Sequence, residues 1–151
     1  MPEKVAYICG PLTELPSGQQ GLVKVFYSRL GDVCEEVFGR RAFVPHEHYD
    51  PIRHPNFTPK EVDAAERKQV CENTSVLIVV AIQPSWGGGI EVEMANTNNI
   101  PVVILQNENK KISRLLRGNP AVMEIISYNN EDEAVELLKA KLKNKFLCNN
   151  I

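Results

Sequence analysis

The feature that most constrains the fold of this chain is an apolar run that leads directly into a glycine-rich turn. Residues 75–82 read Ser-Val-Leu-Ile-Val-Val-Ala-Ile, and this β-branched composition indicates a buried strand. Residues 83–95 then read Gln-Pro-Ser-Trp-Gly-Gly-Gly-Ile-Glu-Val-Glu-Met-Ala, with helical character after the glycines. A strand, a tight turn and a helix in this order predict one βα unit of a parallel sheet.

The same alternation runs along the rest of the chain. The pattern predicts further strands at 4–9, 41–45, 101–105 and 124–128, the last at an edge. It predicts helices at 20–38, 59–72, 88–99, 112–117 and 131–146, the second opened by a capping box at Thr58 and Glu61. We therefore expect an α/β fold of the flavodoxin or Rossmann type, a parallel sheet of about five strands with helices on both faces. The 151 residues contain no repeat or linker, which predicts one domain over 1–151.

Charge and hydropathy exclude several classes of partner. The net charge of -2 with no basic tract argues against a nucleic-acid groove or a membrane-surface patch. No apolar run approaches the roughly 20 residues that span a bilayer. The first four residues lead into a strand and lack the apolar core of a signal peptide, and the four cysteines are scattered without a C-x-x-C pair. We expect a cytoplasmic protein with reduced thiols, no nucleic-acid partner and no membrane partner.

The glycine-rich turn is the first candidate site. Bare backbone N–H groups at a helix start suit an anion such as phosphate, and the helix dipole favours an ionised Glu91 there. An ionised, positioned carboxylate beside a phosphate is what a nucleophile attacking a sugar phosphate needs. The alternative is a tight βα turn with a solvated glutamate. Glu93 points roughly 200° away from Glu91 on a helix, so only one can face a given pocket, and spacing alone does not choose between them.

Two further segments could contact a ligand. Gly10 follows the first strand directly, where a ligand could approach the backbone. Residues 110–120 combine Ser113 with two arginines, Arg114 and Arg117, on a short helix that suits either a phosphate contact or a solvated cationic surface. With neither a G-x-G-x-x-G motif nor a Walker lysine, the ordinary dinucleotide and nucleoside triphosphate sites have no support.

All three histidines fall in one loop after the predicted strand 41–45. His46 and His48 form an H-x-H that Asp50 and His54 follow, a set that could ligate a metal. Prolines stiffen the loop, and no second cluster completes a metal site. A loop that contacts substrate is favoured, and a purely structural loop remains open.

Together these motifs resemble the nucleoside 2-deoxyribosyltransferase family, in particular its 2'-deoxynucleoside 5'-phosphate N-hydrolase branch. The family's Tyr-Phe-Cys-Gly first strand is matched by Tyr-Ile-Cys-Gly at residues 7–10. Its Pro-Ser-x-Gly-x-Gly-x-Glu turn is matched at residues 84–91, and its Ser followed four residues later by Arg-Gly is matched by Ser113, Arg117 and Gly118. The resemblance runs in the same order from about residue 4 to residue 128.

The resemblance implies a role for each matched position. Glu91 would be the nucleophile at the anomeric carbon, with Tyr7 close by to orient it. Ser85 and the amides from Gly87 to Gly89 would hold a 5'-phosphate. Ser113 would reach into a neighbouring subunit's site, so a homodimer is expected. The expected ligand is a small nucleoside or nucleotide, and no cofactor or metal is expected.

The chain departs from the family on the helix before the central strand. Where the family has an Asp that helps to hold the substrate, this chain has Arg67, and the nearest acid on the same face is Asp63. Arg67 either pairs with Asp63 or contacts the substrate itself, and direct contact is slightly favoured because Arg is long. A second departure is Pro11, which gives the Gly-Pro-Leu start seen in transferase members.

The resemblance predicts an N-glycosidase or deoxyribosyltransferase that acts on nucleosides or their 5'-monophosphates. The alternative is a non-catalytic nucleotide-binding module of the same fold. The sequence leaves open the base, the sugar and whether water or a second base accepts the glycosyl group.

Overall fold

The computed structural model describes residues 3–148, which form a parallel sheet flanked by helices. The strands are β1 (Val5–Cys9), β2 (Thr74–Ala81), β3 (Val102–Asn107) and β4 (Val122–Tyr128). The helices are α1 (Ser17–Phe38), α2 (Pro45–Tyr49), α3 (Pro59–Asn73), α4 (Trp86–Thr97), α5 (Arg114–Arg117) and α6 (Glu131–Leu142), followed by a π-helical turn (Lys143–Leu147). None of the described helices is long and apolar enough to cross a membrane.

The sheet has four strands, so the prediction of about five was wrong by one. All neighbours are parallel, in the order β1-β2-β3-β4. The predicted strand at 41–45 is reduced to a single bridge, in which Phe43 exchanges backbone hydrogen bonds with Ala6 (2.8 Å) and Ile8 (2.9 Å) on the outer side of β1. The pairing with β1 does not extend beyond this bridge, because Pro45 has no N–H to donate and is already the first residue of α2.

Helices cover both faces of the sheet, as predicted. Alternate residues of each strand point to opposite faces, and two hydrophobic clusters result. The cluster beneath α1 and α6 contains Ile8, Ile78 and Leu105, and the one beneath α3 and α4 contains Tyr7 and Leu77, all at most 1% exposed. β1 and β2 are neighbours whose following helices lie on opposite faces, which opens a crevice at their carboxyl ends.

Local signals in the sequence fix two helix starts beside this crevice. Thr58 and Glu61 form the predicted capping box, each accepting from the other's backbone N–H, and Pro59 occupies the first turn of α3. Ser85 caps α4 by accepting from the Gly88 amide at 3.2 Å. The four cysteines are free thiols.

Candidate active site

A cavity of about 490 Å³ lies at the carboxyl ends of β1 and β2. Its walls come from the loop after β1, the segment from α2 to the start of α3, and the turn into α4. The lining residues are Gly10, Leu12, Thr13, Glu14, Pro45, His46, Tyr49, Pro51, His54, Pro55, Phe57, Pro59, Val62, Asp63, Glu66, Ser85, Gly87, Gly88, Ile90, Glu91 and Met94. This volume suits a small organic ligand.

The carboxylate of Glu91 lies in the wall of the cavity and is held from behind by Tyr7. Tyr7 Oη donates a 2.6 Å hydrogen bond to Glu91 Oε1. Tyr7 is fully buried in β1 and Glu91 is 9% exposed. Burial raises the pKa of Glu91, and hydrogen bonds from Cys9 and Tyr7 partly oppose that rise. Burial and the charge of Glu91 raise the pKa of Tyr7 well above its usual value, so the phenol stays protonated and donates.

The position of Glu91 corrects one expectation. The sequence predicts a helix from residue 88, with Glu91 in or near its first turn, where the helix dipole would favour the ionised form. α4 begins two residues earlier, at Trp86, which moves Glu91 into the second turn. The dipole acts mainly within the first turn, whereas burial raises the pKa of Glu91 and disfavours its ionised form.

Glu93 points away from this cavity. One of its carboxylate oxygens accepts from Asn96 Nδ2 at 3.1 Å and the other from Asn119 Nδ2 at 3.0 Å. Glu93 lies instead on the neighbouring groove described below. The two acids of the Glu-Val-Glu segment therefore face different surfaces.

Glu66 is a second carboxylate in the cavity, and the sequence analysis missed it. It lies on α3, partly buried, and burial together with the charges of Glu91 and Asp63 raises its pKa to about 7. Glu66 follows Val62 and precedes Val70 by one helical turn each, so it lies on an apolar stripe. A glutamate on such a stripe is the signal that could have identified it.

Asp63 and Arg67 form an ion pair at the edge of the cavity. Arg67 donates from Nε to Asp63 Oδ1 (3.1 Å) and from Nη2 to Asp63 Oδ2 (2.9 Å), and about half of each side chain is exposed. Asp63 lines the cavity and Arg67 does not. The structure therefore has the Asp63–Arg67 pair, and the direct contact of Arg67 with the substrate, which the sequence slightly favours, stays a prediction.

The glycine-rich turn offers fewer free amides than its sequence indicates. The Gly88 amide donates to Ser85 Oγ, and the Gly89 amide donates to the Ser85 carbonyl at 3.1 Å. Among the three glycines, Gly87 alone has an amide without an acceptor within residues 3–148. Gly87 lines the cavity, whereas Gly89 lies on the neighbouring groove.

Gly10 lines the cavity, but a neighbouring side chain explains why it is glycine. A Cβ at this position would lie 2.4 Å from Tyr27 Oη. Tyr27 Oη donates to the Pro11 carbonyl at 2.7 Å, which fixes the loop after β1. The glycine is therefore required by the packing of Tyr27 beneath the loop.

The loop from residue 50 to residue 57 forms an aromatic and proline-rich wall. Phe57 packs edge-on against Tyr49 (ring centroids 5.1 Å apart) and near His54 (6.2 Å). Asp50 anchors the loop: it is 1% exposed, pairs with Lys24 Nζ at 2.7 Å and accepts from the Ile52 and Arg53 amides. Burial alone would raise the pKa of Asp50, but these hydrogen bonds lower it to about 2.

The three histidines of this region have separate neighbours. His46 Nε2 lies 3.3 Å from Ser28 Oγ, His48 stacks on Phe43 with ring centroids 4.4 Å apart, and His54 lies near Phe57. Within residues 3–148, no cluster of three or more His, Cys, Asp or Glu side chains could hold a metal ion. His46 and His54 contribute to the cavity wall.

A second groove, of about 430 Å³, lies on the other side of the turn that starts α4. It contains Ser113, Lys111 and Gly89. Ser113 caps the short helix α5 by accepting from the Leu115 amide at 3.1 Å. Arg117 lines neither this groove nor the cavity. The residues expected to hold a phosphate are therefore divided between two surfaces of the described chain.

Similar folds occur among solved structures. The CMP N-glycosidase BcmB from Clostridium botulinum matches with a TM-score of 0.65 at 19% identity, covering 91% of this chain and 98% of that one. A conserved protein from Enterococcus faecalis V583 matches with a TM-score of 0.60 at 16% identity, covering 93% and 99%. No protein-family model matches the sequence, and no curated protein matches it. At these identities the likeness shows a shared fold.

Proposed function

We propose that this protein cleaves the N-glycosidic bond of nucleosides or their 5'-monophosphates, with Glu91 as the nucleophile. The observation that carries the proposal is the buried Tyr7–Glu91 pair in the wall of the cavity, at the crevice where ligands bind in this type of sheet. The shared fold with a CMP N-glycosidase supports the reaction class.

Glu91 carries out the first step. Its carboxylate attacks the anomeric carbon, the C–N bond breaks, and the base departs with the bonding electron pair. A glycosyl ester on Glu91 results. Tyr7 supports this step because its hydrogen bond favours the ionised carboxylate, which burial would otherwise disfavour.

Glu66 supplies and removes the proton. A departing base needs a proton, and a carboxyl with a pKa of about 7 is protonated in a large fraction of molecules at neutral pH. After the transfer, the Glu66 carboxylate can deprotonate the water or second base that attacks the glycosyl ester. Retaining glycosidases usually have two catalytic carboxyl groups in different environments, one the nucleophile and one the acid/base.

The aromatic wall formed by Tyr49, His54 and Phe57 is the place for the base. Nucleobases stack on aromatic rings, and Phe57 is 45% exposed beside the cavity. Asp63, which also lines the cavity, is a candidate partner for the sugar hydroxyls. Ser85 and the Gly87 amide lie beside Glu91, where they can hydrogen-bond the 5' end.

A panel of nucleosides and their 5'-monophosphates tests the proposal. The protein is incubated with each compound, and released base is measured by chromatography, with Glu91→Gln as the control. Release of base by the wild type and not by the variant supports the proposal. Binding of these ligands without any release would favour the alternative, a non-catalytic nucleotide-binding module.

A further inference from the structure

We infer that the cavity takes an uncharged nucleoside in preference to the same nucleoside carrying a 5'-phosphate. This inference rests on the proposed function and narrows its substrate class. Three features of the cavity support it: the charge of the lining, the hydrogen bonds already made by the backbone amides, and the location of the cationic side chains.

The lining carries several acids and no side chain with a permanent positive charge. Glu14, Asp63, Glu66 and Glu91 line the cavity, and no lysine or arginine is among its lining residues in the described part of the chain. Arg67 neutralises Asp63 from outside. Because the proposed proton donor Glu66 is protonated in the active form, Glu14 and Glu91 carry most of the remaining negative charge. Their negative potential repels a phosphate dianion and not a neutral nucleoside.

The N-terminus of α4 offsets this negative potential only in part. Phosphate sites at helix N-termini rely on several free N–H groups that point at the anion. Here the amides of Gly88 and Gly89 donate to the side chain and the carbonyl of Ser85. Of the three glycine amides, only that of Gly87 has no acceptor among the described residues. The Ser85 hydroxyl can still donate one hydrogen bond. Two amides, those of Trp86 and Gly87, and one hydroxyl remain at this helix start, a small set against the neighbouring carboxylates.

Three nearby cations lie outside the lining of the cavity. Arg53 is in the 50–57 loop and, beside the larger effect of burial, its charge lowers the pKa of His46, but it is not a lining residue. Lys24 pairs with the Asp50 carboxylate at 2.7 Å. Lys111 lines the second groove, on the far side of the α4 turn. Burial lowers the pKa of His46, so this histidine in the lining is mainly neutral at pH 7. A phosphate attached to a sugar at Glu91 therefore meets few positive groups within one chain.

The test compares kcat/KM for each nucleoside with that for its 5'-monophosphate. We expect the nucleoside to be favoured by at least about tenfold at low ionic strength, and the gap to narrow as added salt screens the carboxylates. Glu14→Gln should narrow the gap, because it removes one negative charge from the lining. Glu72→Gln, an exposed acid elsewhere on α3, is the matched control and should leave the ratio unchanged.

Equal or better cleavage of the monophosphate would overturn the inference while leaving the proposed function intact. If that preference disappeared in Arg117→Ala, a second copy of the chain would be supplying the missing cation. If no compound released base, the proposed function would fail, and calorimetric binding would then decide the inference. Tighter binding of nucleosides than of monophosphates would support it, and the reverse order would overturn it.

Discussion

Tyr7 on β1 and Glu91 on α4 are 84 positions apart in sequence, yet their side chains share a 2.6 Å hydrogen bond in the protein interior. The bond links a strand to the helix that follows its neighbouring strand. It places an ionisable carboxyl at the boundary between the apolar core and the cavity. Several properties of the proposed reaction depend on this pair.

Tyr7→Phe should raise the pKa of Glu91. The phenol donates a hydrogen bond to the ionised carboxylate, which lowers the pKa of Glu91. Without that bond, burial raises the pKa of Glu91 further. Because attack requires ionised Glu91, the acidic limb of the kcat/KM profile should move to higher pH, with a loss of about 10–100-fold at pH 6. A pH–rate profile of the variant measures this. An unshifted acidic limb would show that Tyr7 does not control the ionisation of Glu91.

Glu91→Gln should reduce base release by at least about a thousandfold, because the amide cannot form the glycosyl ester. The change preserves side-chain shape in a buried position. Glu93→Gln is the matched control and should cost less than about tenfold, since its carboxylate bonds to Asn96 and Asn119 on another surface. Single-turnover assays measure both. Equal losses would mean that the wrong acid has been assigned.

Glu66→Gln should remove the basic limb of the pH profile. The proposed acid must be protonated, so wild-type activity should fall as the pH rises through about 7. The variant should be slow at all pH values on ordinary bases. It should lose much less activity on a nucleoside analogue whose leaving group needs no proton. A basic limb that persists in the variant would assign the proton donor elsewhere.

The same residue affects stability with a definite sign. Folding raises the pKa of Glu66, so the folded state holds the proton more tightly than the unfolded state. The associated stability is present at acidic pH, below the usual Glu pKa, and is lost as the pH rises through about 7. Between pH 5 and pH 8, Tm should therefore fall more in the wild type than in Glu66→Gln. Parallel Tm curves would mean that Glu66 titrates normally.

The sequence predicted the layers of this fold well because its signals are local and strong. The β-branched run at 75–82 and the capping box at Thr58 each correspond to a described element. The strand at 41–45 failed because an apolar triplet before Pro45 cannot show whether pairing extends beyond one residue. The candidate site was harder to predict from the sequence. The pKa of Glu91 depends on its burial, and the requirement for Gly10 depends on its contact with Tyr27, and both follow from tertiary packing.

Homodimerisation remains a prediction, and the geometry makes it specific. Ser113 lies on the second groove and not on the cavity of Glu91, an arrangement compatible with a contact to the cavity of another chain. Mixing inactive Glu91→Gln with an inactive Ser113→Ala chain should restore about a quarter of the activity at equal amounts, since one site of the hybrid is intact. Trp86, the only tryptophan, is 88% exposed, and its fluorescence should shift to the blue on association.

A monomer that stays fully active at high dilution would contradict this prediction. Light scattering gives the mass, and activity measured across a dilution series gives the dependence on association. A mixture of Glu72→Gln and Glu91→Gln chains is the control, because Glu72 lies outside the cavity and outside the groove. Its activity should equal that of the Glu72→Gln chain alone.

The ion pair between Asp63 and Arg67 should act on substrate binding as one unit. Arg67 donates two hydrogen bonds to Asp63 from outside the cavity, which lowers the pKa of Asp63 and fixes its carboxylate at the edge of the cavity. Asp63→Asn and Arg67→Ala should each raise KM by about 3–10-fold with little change in kcat, and the double variant should be no worse than the worse single one. Arg67→Asp should be more harmful, because it sets two like charges one turn apart. Tm should change little, since both side chains are half exposed.

Additive losses in the double variant would show that Arg67 contacts the substrate independently of Asp63. Wild-type kinetics in both single variants would place this face of α3 outside the binding site.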